Sequence, residues 1–551
     1  MHKKNNYNTI EEVVRANVEK NFPISLEEFL VDKPEPYIDN LEETVALIDS
    51  FIQKGETITV VGDYDCDGIS ATTIMAAGLL IRGVRPRLRI PHRFSEGYGI
   101  NEGIIDDIES GLLITVDNGI AAIEAIKKAK DKGLTVIITD HHLPKVDEMG
   151  QTVLPEADII LDPHLYPEKS EFEDYCGAGI AYRVARGLNP GKELRTLLVL
   201  ASIATVADVM PLYGANRRIL KEGLLAINER TPDTVLPGLA ELLSQVRLEN
   251  HIDEVDYGFT LAPLFNAPGR LPDDGSDMVV RLLTMGSTNP EIRQTAERVF
   301  NNNNKRKELV RLAMDDIKKN VDLTRKPIVV YHPGLGEGIV GLIAGRLCEE
   351  YNSPVIVLTD SADDSIIKGS ARSIPEIHVK NVLDSIQENV YKYGGHAGAA
   401  GLSIEKTRLD VFSDAFRKAC VRDFEKSGRK DEALPWSIKK DAEYDLEFDT
   451  AAAESIMEQQ KLYAPYGEGN PKPVFHFVCD INPEEMMYMT NYTHIKFISG
   501  GVTFVGFNLA EKYRALGCPA RFEVIGQLNE SWLRGELSYQ FQIDYLEVNG
   551  L

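Results

Sequence analysis

Paired cysteines, long apolar runs and positive charge are all scarce in this 551-residue chain, and each shortage narrows what the protein does. The six cysteines (Cys66, Cys176, Cys348, Cys420, Cys479 and Cys518) lie far apart and form no CxxC pair. That spacing argues against a disulfide framework or a structural zinc site, and for a reducing, cytoplasmic location. No run of about 18 apolar residues exists to span a bilayer, and the opening MHKKNNYNTIEEVV has no apolar signal region, so neither secretion nor a membrane partner is expected. Basic residues number 60 against 85 acidic ones, a net charge of −25. This disfavours a protein that coats nucleic acid through a general basic surface; any such contact needs a local groove. About half of the acidic excess lies in residues 1–50 and 431–480. Repeats and low-complexity tracts are also missing, and the length favours three or four domains.

Between about 55 and 210 the chain alternates short β-branched runs with amphipathic stretches. ETITVVGDYD, GLLITVDNG, LTVIITDHH and ADIILDPH are each an apolar run of strand length ending at an aspartate. Strands alternating with helices predict a mainly parallel α/β sheet with functional groups at the carboxyl ends of its strands. From about 215 to 320 the pattern is helical, and EIRQTAERVFNNNNKRKELVRLAMDDIKKNV is long enough to connect domains. A second α/β block follows, with strands in KPIVVYHPG and SPVIVLTD around the helix IVGLIAGRLCEEY. The tail opens on Asp441–Asp449, where acids alternate with mostly apolar residues, and continues as short strands that suggest an OB-like barrel. The expected segments are an acidic helical 1–50, a catalytic 51–215, a helical 216–325, a second α/β domain at 326–428 and a barrel at 436–551.

Four features carry chemistry. Gly62-Asp63-Tyr64-Asp65-Cys66-Asp67-Gly68 places hard oxygen ligands on one tight turn, suited to Mn²⁺ or Mg²⁺. Alone it also fits a calcium loop or a plain polar turn. Asp117 in ITVDNG, Asp140-His141-His142 after VIITD, and Asp208 in ASIATVADVMPL complete the set. Asp208 stands alone in an apolar helical pattern, where a buried carboxylate needs a partner such as a metal ion, unless it caps a helix. Two ions about 4 Å apart, bridged by one aspartate, suit phosphoryl transfer.

The ordered motifs resemble the DHH phosphoesterase superfamily, and within it the branch of single-strand-DNA exonucleases. The matches run through PHRFSEGYGIN (91–101), LDPH (161–164), CGAGIAYRV (176–184), VADVMPL (206–212), FNAPGRL (265–271), GSARS (369–373), GGHAGAAG (394–401) and PYGEGNPKPVF (465–475). The resemblance implies that Asp65, Asp67, Asp117, His141 and Asp208 ligate two divalent ions, with Asp117 as the bridge. His142 would face the scissile phosphate and Asp140 would orient the site from behind, while Asp63 joins the catalytic group with its role open. GGHAGAAG resembles the signature of the DHH-associated domain, whose small residues let backbone approach a phosphate while His396 donates to it. Arg93, Asn266, Arg270, Ser370, Arg372, Gly394, Gly395 and His396 are the implied substrate contacts. A glycine-rich start to a helix is the plainer reading of that last motif. Where the family often has an aromatic and a histidine, this chain has Leu335 and Gly336, so contacts near that loop are expected to differ.

The stretch from Arg82 to Arg93 holds five arginines and no acid, as an electrostatic channel for single strands requires, or as a solvated strand face would show. Lys305, Arg306, Lys307 and Arg311 fit a solvated helix face. Tyr492, Phe507 and Trp532 are candidate stacking platforms in the tail, and the acidic face of 441–449 is expected to point away from DNA or toward a partner. The resemblance implies a metal-dependent exonuclease degrading single-stranded DNA from 5′ to 3′ into mononucleotides in recombination and repair, with a single-strand-binding protein and a RecQ-like helicase as partners. The alternatives are a DHH phosphodiesterase for short oligonucleotides or cyclic dinucleotides, and a non-catalytic replication or repair scaffold.

Overall fold

The computed structural model describes the chain apart from residues 1, 6, 148, 249–250, 272–274, 430–431, 438–441, 491, 534–535 and 549–551. The first α/β block is a wholly parallel sheet of β1 (Ile58–Val61), β2 (Arg87–Arg89), β3 (Leu112–Val116), β4 (Thr135–Thr139) and β5 (Ile159–Leu161), in the order β2-β1-β3-β4-β5. β1 and β3 are buried at every position, as strands covered on both faces must be. Asp63, Asp117, Asp140 and Asp162 follow the ends of β1, β3, β4 and β5, so four carboxylates gather at one edge of the sheet.

Helices Cys66–Ile81 and Gly177–Leu188 belong to this block and pack closely. A Cβ on Gly78 would lie 2.9 Å from the Cβ of Ala185. The arginine-rich stretch forms the edge strand β2. Two of its five arginines are spent on the fold: Arg82 donates to Asp49 and to the Leu188 carbonyl, and Arg89 to Glu96 and the Ile90 carbonyl. Arg85 and Arg87 are exposed.

The connecting helix Ile292–Asn320 runs 29 residues, from one compact unit (1–266, 276–298 and 441–551) into a second (267–275 and 299–440). Along it Arg311 pairs with Glu308 and Asp315, and Arg306 donates to Asn303, so these two cations are engaged on the helix surface itself. The second unit holds a mixed sheet of β6 (Ile328–Tyr331), β7 (Val355–Asp360), β8 (Ile366–Arg372), β9 (Lys392–Gly395) and β10 (Ala399–Glu405), in the order β9-β10-β8-β7-β6. Only β6 and β7 are parallel; the other pairings are antiparallel. Ile343 and Leu347 of helix Glu337–Tyr351 and Phe412 and Phe416 of helix Leu409–Phe424 fill its core.

The tail sheet contains β11 (Leu446–Glu447), β12 (Phe475–Asp480), β13 (Met487–Met489), β14 (His494–Ser499), β15 (Val502–Gly506), β16 (Arg521–Leu533) and β17 (Glu536–Glu547), in the order β11-β12-β16-β17-β15-β14-β13. It is not uniformly antiparallel, because β11 runs parallel to β12 and β15 parallel to β17. The N-terminal segment also departs from its sequence reading as a separate piece. Ile10, Val13, Val14, Val18, Phe22, Leu26 and Phe29 bury into the same core as Phe475, Phe504 and Phe541, and His2–Lys4 pairs with Ala442–Tyr444. Burying seven such side chains contributes on the order of 10 kcal/mol against leaving them in water.

The alternating acidic run breaks into two short strands. Tyr444, Leu446 and Phe448 point inward as expected, while Asp441 lies outside the described residues. Two of its acids have partners within the protein: Asp445 accepts from the Val474 amide and from Asn5, and the exposed Glu447 accepts from Tyr444 and contacts the His476 imidazole. A buried arginine of helix Gly214–Glu229 fastens the tail. Arg217 donates to the carbonyls of Tyr463, Ala464 and Pro465 at 3.1, 2.7 and 3.1 Å, and lies over the Phe29 ring.

Candidate metal centre and phosphate site

The turn after β1 begins a helix, and Asp65 is its N-cap, accepting from the Gly68 amide at 3.0 Å. Gly68 is required here because a Cβ would lie 2.6 Å from the Asp63 nitrogen. Asp67 lies in the first turn of that helix and is buried. Its two oxygens accept from the amides of Gly177 (2.6 Å) and Ala178 (2.7 Å), the exposed donors at the start of helix Gly177–Leu188. After β3, Asp117 adopts a left-handed backbone (φ 60°), which aspartate tolerates better than most residues. Asn118 clamps this turn by donating to the carbonyls of Val61 and Val116.

After β4, the buried Asp140 organises the two histidines. One of its oxygens accepts from the amides of His141 (2.8 Å) and His142 (3.2 Å) and contacts the His142 Nδ1 (2.8 Å), and the other accepts from the Ile120 amide (2.9 Å). Its role is therefore to orient. The His141 Nε2 lies 3.1 Å from Asp117, 3.6 Å from Asp67 and 3.6 Å from Asp208. Asp208 is the C-cap of helix Arg195–Ala207, as one of its two sequence readings allows, and its side chain is 34% exposed.

Three overlapping groups place their ligand atoms within 4.8 Å of one another: Asp67, His141 and Asp208; Asp63, Asp65 and Asp117; and Asp117, His141 and His142. Asp117 is common to the last two and touches the first through His141. Packing acids this closely has an electrostatic cost. Burial and then neighbouring carboxylates push Asp63 and Asp117 well above the ordinary range and Asp208 up to about 8. Burial pulls the His141 imidazole down, whereas for His142 the same effect is outweighed by the Asp140 hydrogen bond and charge, which lift it to about 9. One oxygen of Asp63 is buried with no hydrogen-bond partner. An orphaned oxygen, a crowd of carboxylates and two imidazoles, with no thiolate in any of the three groups, fit hard divalent cations.

Sequence reasoning passed over several residues around this cluster. The Tyr98 hydroxyl is 3.2 Å from the His142 Nε2, and its ring meets Tyr64 edge-on, with Arg93 over the Tyr64 face at 5.1 Å. Arg93 is thus held at the mouth of the cluster. The His164 Nδ1 lies 2.7 Å from the His141 carbonyl, and Asp162 beside it is pushed by burial to about 7. Both were quoted in LDPH without a role, although Asp162 ends a strand as the other acids do. The side-chain oxygen of Asn266, an implied substrate contact, accepts from the Cys66 amide at 2.8 Å. It fixes the start of helix Cys66–Ile81.

The other predicted substrate contacts lie in the second unit. GGHAGAAG starts no helix: it is the hairpin β9–β10, with His396 exposed at its turn. Ser370 and Arg372 on β8 face Gly401 and Ala399 of β10, and the Arg372 Nη1 donates to Ser370 at 2.7 Å. A Cβ on Gly341 would reach within 3.1 Å of Arg372, while Gly394 and Gly401 have open space before them. The result is an arginine and a hydroxyl set beside exposed glycine backbone, a fitting cradle for a phosphate. Arg270 donates to the Gly338 carbonyl at the start of helix Glu337–Tyr351 (3.3 Å).

A carboxylate–histidine cluster at the carboxyl edge of a parallel sheet, followed by a connecting helix and a glycine-hairpin domain, defines the DHH class of phosphoesterases. Residues 57–206 match the DHH family N-terminal domain, 325–422 the DHHA1 domain and 442–545 the RecJ OB domain. The single-stranded-DNA-specific exonuclease RecJ of Thermus thermophilus is 31% identical over 92% of this chain and 70% of its own length. RecJ of Haemophilus influenzae is also 31% identical, over 92% of this chain and 90% of its own length. A crystal structure of the Thermus protein in complex with Mn²⁺ superposes with a TM-score of 0.78 at 26% identity, covering 98% of this chain and 76% of that one. The chain belongs to the RecJ family.

Proposed function

We propose that this chain is a metal-dependent exonuclease that hydrolyses single-stranded DNA from the 5′ end to mononucleotides, with Mn²⁺ or Mg²⁺ as the ion. The observation that carries the proposal is Asp117, shared between ligand groups at the carboxyl edge of the sheet, in a chain whose relatives are named for this activity. In this reading Asp65, Asp67, Asp117, His141 and Asp208 hold two ions, and Asp63 supplies a further oxygen. Bound there, the ions supply charge neutralisation at the phosphate and activation of water. Asp140 holds both histidines in place, and His142, kept protonated by Asp140 and exposed on its outer side, donates toward the scissile phosphate.

Arg93 contacts the strand near the cluster, and Ser370, Arg372, His396 and the Gly394–Gly395 backbone hold a phosphate in the second unit. Asn266 and Arg270 support these two regions. The catalytic domain is taken as 51–215, the phosphate-holding domain as 326–428 and the single-strand-binding domain as 436–551. A cytoplasmic role in recombination and repair, beside a single-strand-binding protein and a RecQ-like helicase, completes the proposal. Among the described residues no helix is long and apolar enough to cross a membrane. The test is incubation of 5′- and 3′-labelled single strands with Mn²⁺. Loss of the 5′ label as mononucleotide ahead of the 3′ label, abolished by Asp117→Ala, supports the reading; equal attack at both ends contradicts it.

A further inference from the structure

Both backbone polar groups of His141 are held by side chains. Its amide donates to Asp140 at 2.8 Å, and its carbonyl lies 2.7 Å from the His164 Nδ1. After β4 the chain is irregular and runs outward, with His142 half-exposed and Leu143 77% exposed. Side chains therefore replace here the sheet hydrogen bonds that would position a strand.

A carbonyl only accepts, so the His164 Nδ1 carries the hydrogen of that bond. Its other nitrogen, Nε2, faces one carboxylate oxygen of Asp174 at 3.9 Å. The second Asp174 oxygen accepts from the Tyr213 hydroxyl at 2.7 Å, and the Asp174 carbonyl accepts from the Asn216 side chain. Tyr213 is the N-cap of helix Gly214–Glu229, and its ring stacks on Phe22 at 4.7 Å and meets Phe172 at 5.1 Å. The His164 amide donates to Asp162, whose side chain is fully buried. Phenol, carboxylate, imidazole and ligand carbonyl thus form one line of contacts. Tyr213, Asp174 and His164 belong to none of the three ligand groups.

We propose that His164 is a positioning residue for the metal centre: held by Asp174, and through it by Tyr213, it fixes the His141 carbonyl and thereby the place of the His141 Nε2 among Asp67, Asp117 and Asp208. The inference rests on the reading of His141 as a metal ligand, and adds to Asp140 a second support for the loop that carries it. An imidazole engaged at both nitrogens has one orientation, and a carbonyl held by it fixes the peptide plane from which the His141 side chain departs. Without that bond only Asp140 restrains the plane. A small tilt there is magnified at the ring, whose Nε2 lies 3.1 Å from Asp117. Asp174 and Tyr213 accordingly tune the affinity of the cluster for divalent cations without touching it.

The test uses the full-length protein, with Mn²⁺ titrated by calorimetry. His164→Ala is expected to weaken Mn²⁺ binding about 10–100-fold, the usual cost of losing a group that orients a ligand. His164→Asn, whose amide still donates from nearly the position of Nδ1, recovers most of that affinity. Asp174→Asn weakens binding when His164 is present and adds nothing in the His164→Asn background, because it acts only through the imidazole. Wild-type affinity in His164→Ala, equal weakening by alanine and asparagine, or an Asp174→Asn effect of the same size in both backgrounds overturns the proposal. Should His164→Ala fail to fold, the two Asp174→Asn measurements decide alone. If His141→Ala binds Mn²⁺ as the wild type does, His141 is no ligand and the metal reading fails. The support is then decided without metal, from the imidazole ¹⁵N resonance of His141: His164→Ala moves it and His164→Asn does not. A resonance unmoved by His164→Ala, or moved alike by both variants, overturns the support.

Discussion

The Gly177 amide lies 2.6 Å from a carboxylate oxygen of Asp67, and a Cβ on Gly177 would come within 2.4 Å of the Asp117 Cβ. One glycine thus anchors one carboxylate of the cluster while leaving room for another. Gly177→Ala is expected to displace Asp117 and weaken Mn²⁺ binding by about 10–100-fold, the usual cost of losing a residue that orients a ligand. Titration calorimetry of the purified variant, with its circular dichroism spectrum unchanged, checks this. Wild-type affinity would show that the loop adjusts freely.

The charge state of the cluster makes the metal-free protein sensitive to alkali. Asp208 loses its proton near 8 in the fold but near 3.8 when unfolded, so raising pH across that interval favours the unfolded chain. His142, lifted to about 9 by Asp140 despite partial burial, contributes stability that is complete below about 6.5 and is lost as pH rises through 9. Both effects have the same sign. The melting temperature in EDTA is expected to fall steadily from pH 5 to pH 9, and Mn²⁺ is expected to flatten the decline. A metal-free protein whose stability rises over that range would contradict the arrangement.

Arg372 donates to Ser370 from the same strand and leaves its guanidinium beside exposed glycine backbone. If this is where a phosphate is held, Arg372→Ala raises KM for a 5′-phosphorylated single strand by about tenfold or more, the cost of one charged hydrogen bond. A 5′-hydroxyl strand is the control for a terminal phosphate. Steady-state kinetics on both strands reads the difference, and an unchanged KM on both removes Arg372 from the substrate path.

Arg217 binds three consecutive backbone carbonyls of the tail from inside the first unit. Replacing it with methionine keeps much of its volume but strands those acceptors, an expected loss of about 3 kcal/mol. A lowered thermal midpoint together with faster proteolysis of residues 441–551 is the predicted result. Wild-type resistance would mean that the apolar core alone secures the tail.

Much of this was legible in the sequence because the determinants are local. Each of the four β-branched runs ends at its aspartate, and period two fixed the inward side of Tyr444, Leu446 and Phe448. What escaped were pairings between distant segments. Nothing in Ile10, Val13 or Phe22 announces that their partners are Phe475 and Phe504, more than 400 residues away, and nothing in CGAG shows that its amides receive Asp67. Asp208 left two readings open for the opposite reason: an apolar neighbourhood fits a helix interior and a helix end alike, and the left-handed Val209 that decides for the end has no sequence signal. GGHAGAAG was ambiguous because glycine suits a helix start and a tight hairpin equally, and only its pairing with β8 decides.

In the proposed function, Asp117 joins two ion sites into one hydrolytic centre. Counting Mn²⁺ bound per chain, by equilibrium titration of the wild type and of Asp117→Ala, tests it most directly. The account predicts two ions in the wild type and loss of tight binding at both positions in the variant, together with loss of single-strand degradation. One ion in the wild type, or two retained after the substitution, would contradict it.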